Sequence, residues 1–136
     1  MLLTLLNRKQ KLKFLDLAMH MVAVDGKASK IEKKLLQSML IEVGDDIAEE
    51  YTFTLSKNLS ETIEFFANES IAVKRIVYLN LVKTMMVDEF YNTAEHFLIE
   101  DIRKAFKINE TKKKQLIRLI YNERDLREQA KRIVNH

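Results

Sequence analysis

The sequence predicts an all-α fold, a compact bundle of six or seven helices with an internal duplicated helix–turn–helix unit. Three observations carry this. Among 136 residues there are 2 Gly and no Pro, so the turn chemistry that sheets and long loops depend on is nearly absent. Apolar residues recur at helical spacing through most of the chain. Finally, Val24-Asp25-Gly26 followed by Ser29-Lys30-Ile31-Glu32 is echoed by Val87-Asp88-Glu89 followed by Asn92-Thr93-Ala94-Glu95. In both, the Glu comes seven residues after the Asp, and Asp88 stands 63 positions after Asp25.

The elements follow in order. Arg8 to Val24 reads as the first helix, with Leu12, Leu15, Met19 and Val22 on its inward stripe and Phe14, Ala18 and Met21 widening it. Asp25-Gly26 stops it, because Gly tolerates the positive φ common just past a helix end. Ser29 to Val43 is the second helix, with Ile31, Leu35, Met39 and Leu40 inward and Gly44 as its stop. So short a link predicts an αα-hairpin. Asp45-Asp46 opens a short helix through Glu50, and Tyr51 to Leu55 alternates like a strand without a partner, so it reads as helical or irregular.

Ser60 is expected to cap a short helix through Ala67, with Phe65 and Phe66 in the core. Asn68 or Ser70 caps the next helix, which runs to Val87 and is apolar around most of its circumference; it is expected to be central and buried. Asn92 to Phe106 follows, with Phe97, Leu98, Ile102 and Phe106 inward, and Asn109 caps the last helical region. There the apolar marks Leu116 and Ile120, then Leu126, Ala130 and Val134, slip in phase around Asn122-Glu123, which predicts a break or kink. One domain, 1–136, accounts for the whole: repeat 1 about 10–44, repeat 2 about 71–108 and a C-terminal helical region 109–136.

Composition excludes several functions. With no Cys there is no disulfide, thiolate metal site or thiol nucleophile. The apolar N-terminus ends within a few residues at Arg8-Lys9-Gln10-Lys11, whereas a signal peptide carries its charge first and a longer apolar run after it. Ile71 to Val87 contains Lys74, Arg75, Asn80 and Lys83, unsuited to a membrane span. A soluble, cytoplasmic protein is the expectation. Its leucine-rich N-terminus suits packing on its own core better than peripheral docking on a membrane or partner.

The net charge of +3 is unevenly distributed. Residues 1–34 hold 8 basic and 3 acidic side chains, 35–69 hold 1 and 8, 70–106 hold 5 and 5, and 107–136 hold 9 and 4. Lys112-Lys113-Lys114, Arg118, Arg124, Arg127, Lys131 and Arg132 could track phosphates. Interleaved Glu110, Glu123, Asp125 and Glu128, with Tyr121 as the lone aromatic, fit an ordinary solvated helix better. A basic nucleic-acid-binding bundle is therefore the alternative reading rather than the leading one.

Asp25, Glu32, Asp88 and Glu95 are the sharpest candidate site. If the two hairpins pack about a pseudo-twofold axis, their turns could gather oxygen ligands for Ca²⁺, Mg²⁺ or Mn²⁺. Helix capping competes and is the stronger reading: Ser29-x-x-Glu32 is a capping box, and Asn92-x-x-Glu95 is the same device with Asn as cap. An EF-hand fails, since a loop with Gly26 at its sixth position puts Met21 and Ala23 where carboxylates must stand. His20, His96 and His136 pair with nothing at ligand spacing, and neither internal His follows a Glu at the three-residue spacing of a di-iron bundle. No phosphate loop or nucleophile elbow is present, so no catalytic constellation is predicted and the chain is expected not to be an enzyme.

The segment Ala18-Met19-His20-Met21-Val22-Ala23-Val24-Asp25-Gly26-Lys27-Ala28-Ser29-Lys30-Ile31-Glu32, followed by Leu35-Leu36 and Met39-Leu40, resembles the signature of the TerB-like family. That family includes tellurite-resistance TerB proteins and the N-terminal domain of DjlA-type co-chaperones. The resemblance spans about residues 10–108; the second copy keeps Asp88 and Glu95 but has Glu89 in place of the turn Gly. It implies an all-α bundle with internal pseudo-symmetry, a bacterial stress-response role in the cytoplasm or at a membrane, and a divalent cation on the acidic residues, here Asp25, Glu32, Asp88 and Glu95. The combined expectation is a non-enzymatic module that binds a protein partner.

Overall fold

The structure, a computed structural model, describes residues 1–23, 30–51, 58–86 and 93–136, with the side chains of 30–32 outside that description. After a short 3-10 turn at Leu3–Leu5 come α1 (Arg8–Ala23), α2 (Lys30–Val43), α3 (Asp45–Glu50), α4 (Leu59–Ala67), α5 (Ile71–Met86), α6 (Thr93–Ala105) and α7 (Glu110–Asn135). The fold is thus an all-α bundle of seven helices among the described residues. Both turns on which the repeat rests, with Gly26, Ser29 and Asn92, and the stretch 52–57, lie outside them.

The core is assembled around α5. Every residue from Ile76 to Leu81 and on to Val82 is buried, more than a full turn of helix, so α5 presents no solvent face at its centre. Its polar members are satisfied internally. Asn80, fully buried, donates from Nδ2 to the Ile76 and Met1 carbonyls, each at 2.8 Å, and Thr84 donates to the Asn80 carbonyl at 2.9 Å. α1 packs on α5 and α4, α6 and α7 also rest on α5, and α2 packs on α1 and α3. Phe66 of α4 stacks edge-on with Phe65 at 5.0 Å and Phe106 at 6.3 Å, joining α4 to the end of α6.

The local signals that start α1, α4, α5 and α7 are side-chain caps. Asn7 and Gln10 form a reciprocal box at α1: Gln10 N–H donates to Asn7 Oδ1 at 2.8 Å, and Asn7 N–H to Gln10 Oε1 at 2.9 Å. Asn58, not Ser60, caps α4, accepting from the Glu61 amide at 3.2 Å, because Leu59 is already helical. Ser70 caps α5 through the Val73 amide, and Asn109 caps α7 through the Lys112 amide at 2.8 Å. Gly44 stops α2 with φ +107°, a backbone state that L side chains rarely adopt.

Three further expectations are corrected. On α1, Phe14, Leu15, Ala18, Met21 and Val22 are buried as expected and Leu17 joins them, but Leu12 and Met19 sit only half-buried at the margin of the stripe. Phe97, expected inward, is 64% exposed; the inward face of α6 is Leu98, Ile99 and Ile102. No break interrupts α7, which is continuous over 26 residues. Its phase slip marks the point where the helix outruns the body, so the apolar line beyond has no core to follow.

Of the N-terminal leucines, Leu2 and Leu5 are exposed, 48% and 67%, whereas Leu3 and Leu6 pack on the core as expected. Glu42 of α2 fixes them: its carboxylate accepts from the Leu3 amide and from the Met1 ammonium, both at 3.0 Å. A second tie closes the other flank, where the Tyr51 hydroxyl donates to Asp16 Oδ1 at 2.9 Å in the interior.

Candidate interaction surface

The four acidic residues singled out by sequence are placed unequally. Glu95 is 2% exposed in the first turn of α6. Glu32 falls in the first turn of α2, with its side chain outside the description, and Asp25 and Asp88 lie outside the described residues altogether. Among the described residues there is no group of three or more His, Asp or Glu side chains placed to hold a metal ion. His20 is half-buried in the last turn of α1, and its Nε2 has no hydrogen-bond partner among the described residues. His96 lies edge-on to Phe97 at 6.1 Å, and His136 is exposed.

A different surface emerges from α7. Its first half is anchored: Leu116, Ile117 and Ile120 pack against the core. Ion pairs add to this. Glu100 of α6 accepts from Arg103 Nη2 at 2.8 Å and from Lys113 Nζ at 2.9 Å, while Arg103 also reaches Glu110 at 3.1 Å. The Arg103 hydrogen bonds and the Lys113 charge outweigh partial burial and hold the Glu100 carboxyl down at about 2. Burial, with the Glu100 charge nearby, pushes the Tyr78 phenol up to about 12. Last comes Lys83 of α5, which donates to Glu123 at 2.6 Å.

Past Glu123 every residue of α7 is exposed. At 1.5 Å per residue the helix is about 39 Å long, and nearly half projects from the body. One apolar line begins on the anchored half and runs out along this projecting end. Leu119, Leu126 and Ile133 recur at intervals of seven and are 46%, 66% and 70% exposed, and Val134 and Ala130 lie beside them. On the other faces charges pair within the helix: Arg127 with Glu123 at 2.8 Å, Lys131 with Glu128 at 3.2 Å, and Arg124 over the Tyr121 ring at 4.9 Å. Isolated exposed apolar residues are ordinary; here three share one face of one helix at a seven-residue interval.

Two concave features formed by described residues differ in the charge around them. Between α4 and α6 runs a groove of about 460 Å³ with Leu59, Ile63, Leu98 and Ala105 in its wall and the carboxylates of Glu64 and Asp101 beside them. Phe97 stands one helical turn before Asp101 on α6, exposed. At the start of α5 a smaller pocket of about 190 Å³ is bordered by Lys74, Arg75 and Lys107.

Sequence reasoning missed this surface, although its period was legible in Leu119, Leu126 and Ile133. Compared with protein-family models, curated proteins and solved structures, the chain matches none. No helix among the described residues is long and apolar enough to cross a membrane.

Proposed function

We propose that this chain is a non-enzymatic helical interaction module, TerB-like in type, that binds a protein partner through the projecting end of α7. The observation that carries the reading is the exposed apolar line that starts at Leu119 and continues through Leu126 and Ile133 past the last tie to the body at Glu123. An amphipathic helix with anchors at one period is the form in which helices lie in grooves of partner proteins. The pairing of Arg127 and Lys131 with carboxylates of their own helix favours protein over nucleic acid, because those cations are already partly neutralised. A photo-crosslinking residue at Leu126 tests the reading in the cell. Covalent protein adducts are expected, and they should vanish when Ile133→Asp is added; absence of any adduct overturns it.

A divalent cation at Asp25, Glu32, Asp88 and Glu95 remains part of the proposal, as does the stress-response role that the TerB-like resemblance implies. Supporting the cation is the burial of the Glu95 carboxylate at a helix start, where one ligand would already be held in place. Titration of metal-free protein with calcium, magnesium, manganese and zinc tests it by calorimetry. Binding lost in the Asp25→Ala, Asp88→Ala double variant with helicity intact supports a cation site. Absence of binding leaves Glu32 and Glu95 as helix-capping residues.

A further inference from the structure

We infer that the occupant of the α4–α6 groove is the projecting end of α7 from a second copy of this chain. The inference rests on the interaction reading above and names the partner. Three features of the two surfaces match. First, each is the complement of the other in shape: α7 offers a single apolar line on a free helix, and α4 with α6 offers an apolar trough between two helices. Second, they match in charge. Beyond Glu123 the helix holds Arg124, Arg127, Lys131 and Arg132 against Asp125 and Glu128. The groove is bordered by Glu64 and Asp101, with Glu61 one turn before Glu64, in the stretch 35–69 that carries 8 acidic side chains and 1 basic. Third, the same chain carries both halves, so their concentrations are always equal.

Charge also decides against the obvious rival. Two α7 ends paired with each other would oppose like net charges along the seam. Seating each in an acidic groove replaces that repulsion with attraction. The smaller pocket beside Lys74, Arg75 and Lys107 has the wrong sign for this helix. Within its own molecule α7 cannot reach the groove, because it is one continuous helix whose end is exposed throughout. The contact is therefore between copies, and it pairs two different surfaces of the same protein.

Sedimentation velocity of the full chain over a concentration series tests the inference. The wild type should gain mass with concentration, less steeply as salt is raised. Leu126→Asp with Ile133→Asp, and separately Glu64→Lys with Asp101→Lys, should each sediment as a monomer; all four positions are exposed, and circular dichroism checks that the fold is kept. An equimolar mixture of these two double variants should regain mass, because the intact tail of one meets the intact groove of the other. As the chain has no Cys, copies carrying only Ser60→Cys and only Ile133→Cys should form a mixed disulfide in preference to either homodimer. A groove variant that associates like the wild type means the α7 ends pair with each other, and overturns the inference. A wild type that stays monomeric also overturns it. If crosslinks from Leu126 to another protein persist in that case, the interaction reading stands without self-association; if none form, both fall.

Discussion

The Lys83 ammonium and the Glu123 carboxylate, 2.6 Å apart, divide α7 into a part that belongs to the bundle and a part that does not. Both side chains are mostly shielded, 18% and 28% exposed, and they join α5 at the centre to α7 at its point of departure. Burial alone would raise the Glu123 carboxyl, but the hydrogen bond and charge of Lys83 with the charge of Arg127 reverse this and hold it low. A double-mutant cycle with Lys83→Met and Glu123→Gln should return a coupling of about 1 kcal/mol, above the usual value for open surface pairs. Hydrogen exchange in residues 117–123 should rise in either single variant.

Acid should weaken the junction of α6 with α7. Glu100 titrates at about 2 in the folded chain against an ordinary value of 4.5, so its contribution is complete above about pH 4.5 and is lost as pH falls towards 2. At 19% exposure, part of the shift is screened, and Glu100→Gln should cost roughly 2 kcal/mol at neutral pH. Urea unfolding of the two proteins at pH 6 and pH 3 checks the sign: the gap between them should narrow at the lower pH.

Lys107 occupies a position made for glycine. Its φ is +56°, the Lys107 amide donates to the Lys104 carbonyl and the Ile108 amide to the Arg103 carbonyl, both at 3.1 Å. These are the two bonds of a Schellman helix end with Lys at the left-handed residue. Lys107→Gly should therefore stabilise the protein by about 1 kcal/mol, since the strain relieved exceeds the freedom added to the unfolded chain. Thermal melting should show a rise of several degrees, and a fall would refute it.

Tyr51→Phe should cost about 1.5–3 kcal/mol by removing a hydrogen bond to the buried Asp16 carboxylate, with no change in volume of the ring. Burial and the Asp16 charge also push the Tyr51 phenol well above its usual range. Spectrophotometric titration should find Tyr51 still protonated at a pH where an ordinary phenol has ionised.

How far the sequence could be read follows physical lines. Helix existence was legible wherever a long apolar period and a short polar cap coincided: α1, α5 and α7 begin and end within a few residues of their expected bounds. Caps were legible when the residue type was right and alternatives were absent, as at Asn109. At α4 two candidate residues lay close together, and Asn58 prevailed over Ser60 because its amide-accepting oxygen sits where the chain is still extended. The Asn7-x-x-Gln10 box was overlooked because Gln10 lies in a run of charged residues. No composition signal marks Lys107, since the helix end it forms is normally made by Gly. Phe97 was assigned to the core, and the apolar marks of α7 were read only as a slip in phase, because periodicity records which residues share a face, not whether anything lies opposite it.

The continuity of α7 has a thermodynamic consequence. A segment as short as 124–135 is a poor helix by itself in water, because the first turn must be ordered for a single hydrogen bond. Here that nucleation step is already complete on the body, at Asn109 and the turns packed against α5. The segment extends an existing helix rather than starting one, so a binding partner meets a preorganised ligand. The conformational entropy that usually opposes the capture of a flexible peptide is largely spent before the encounter takes place.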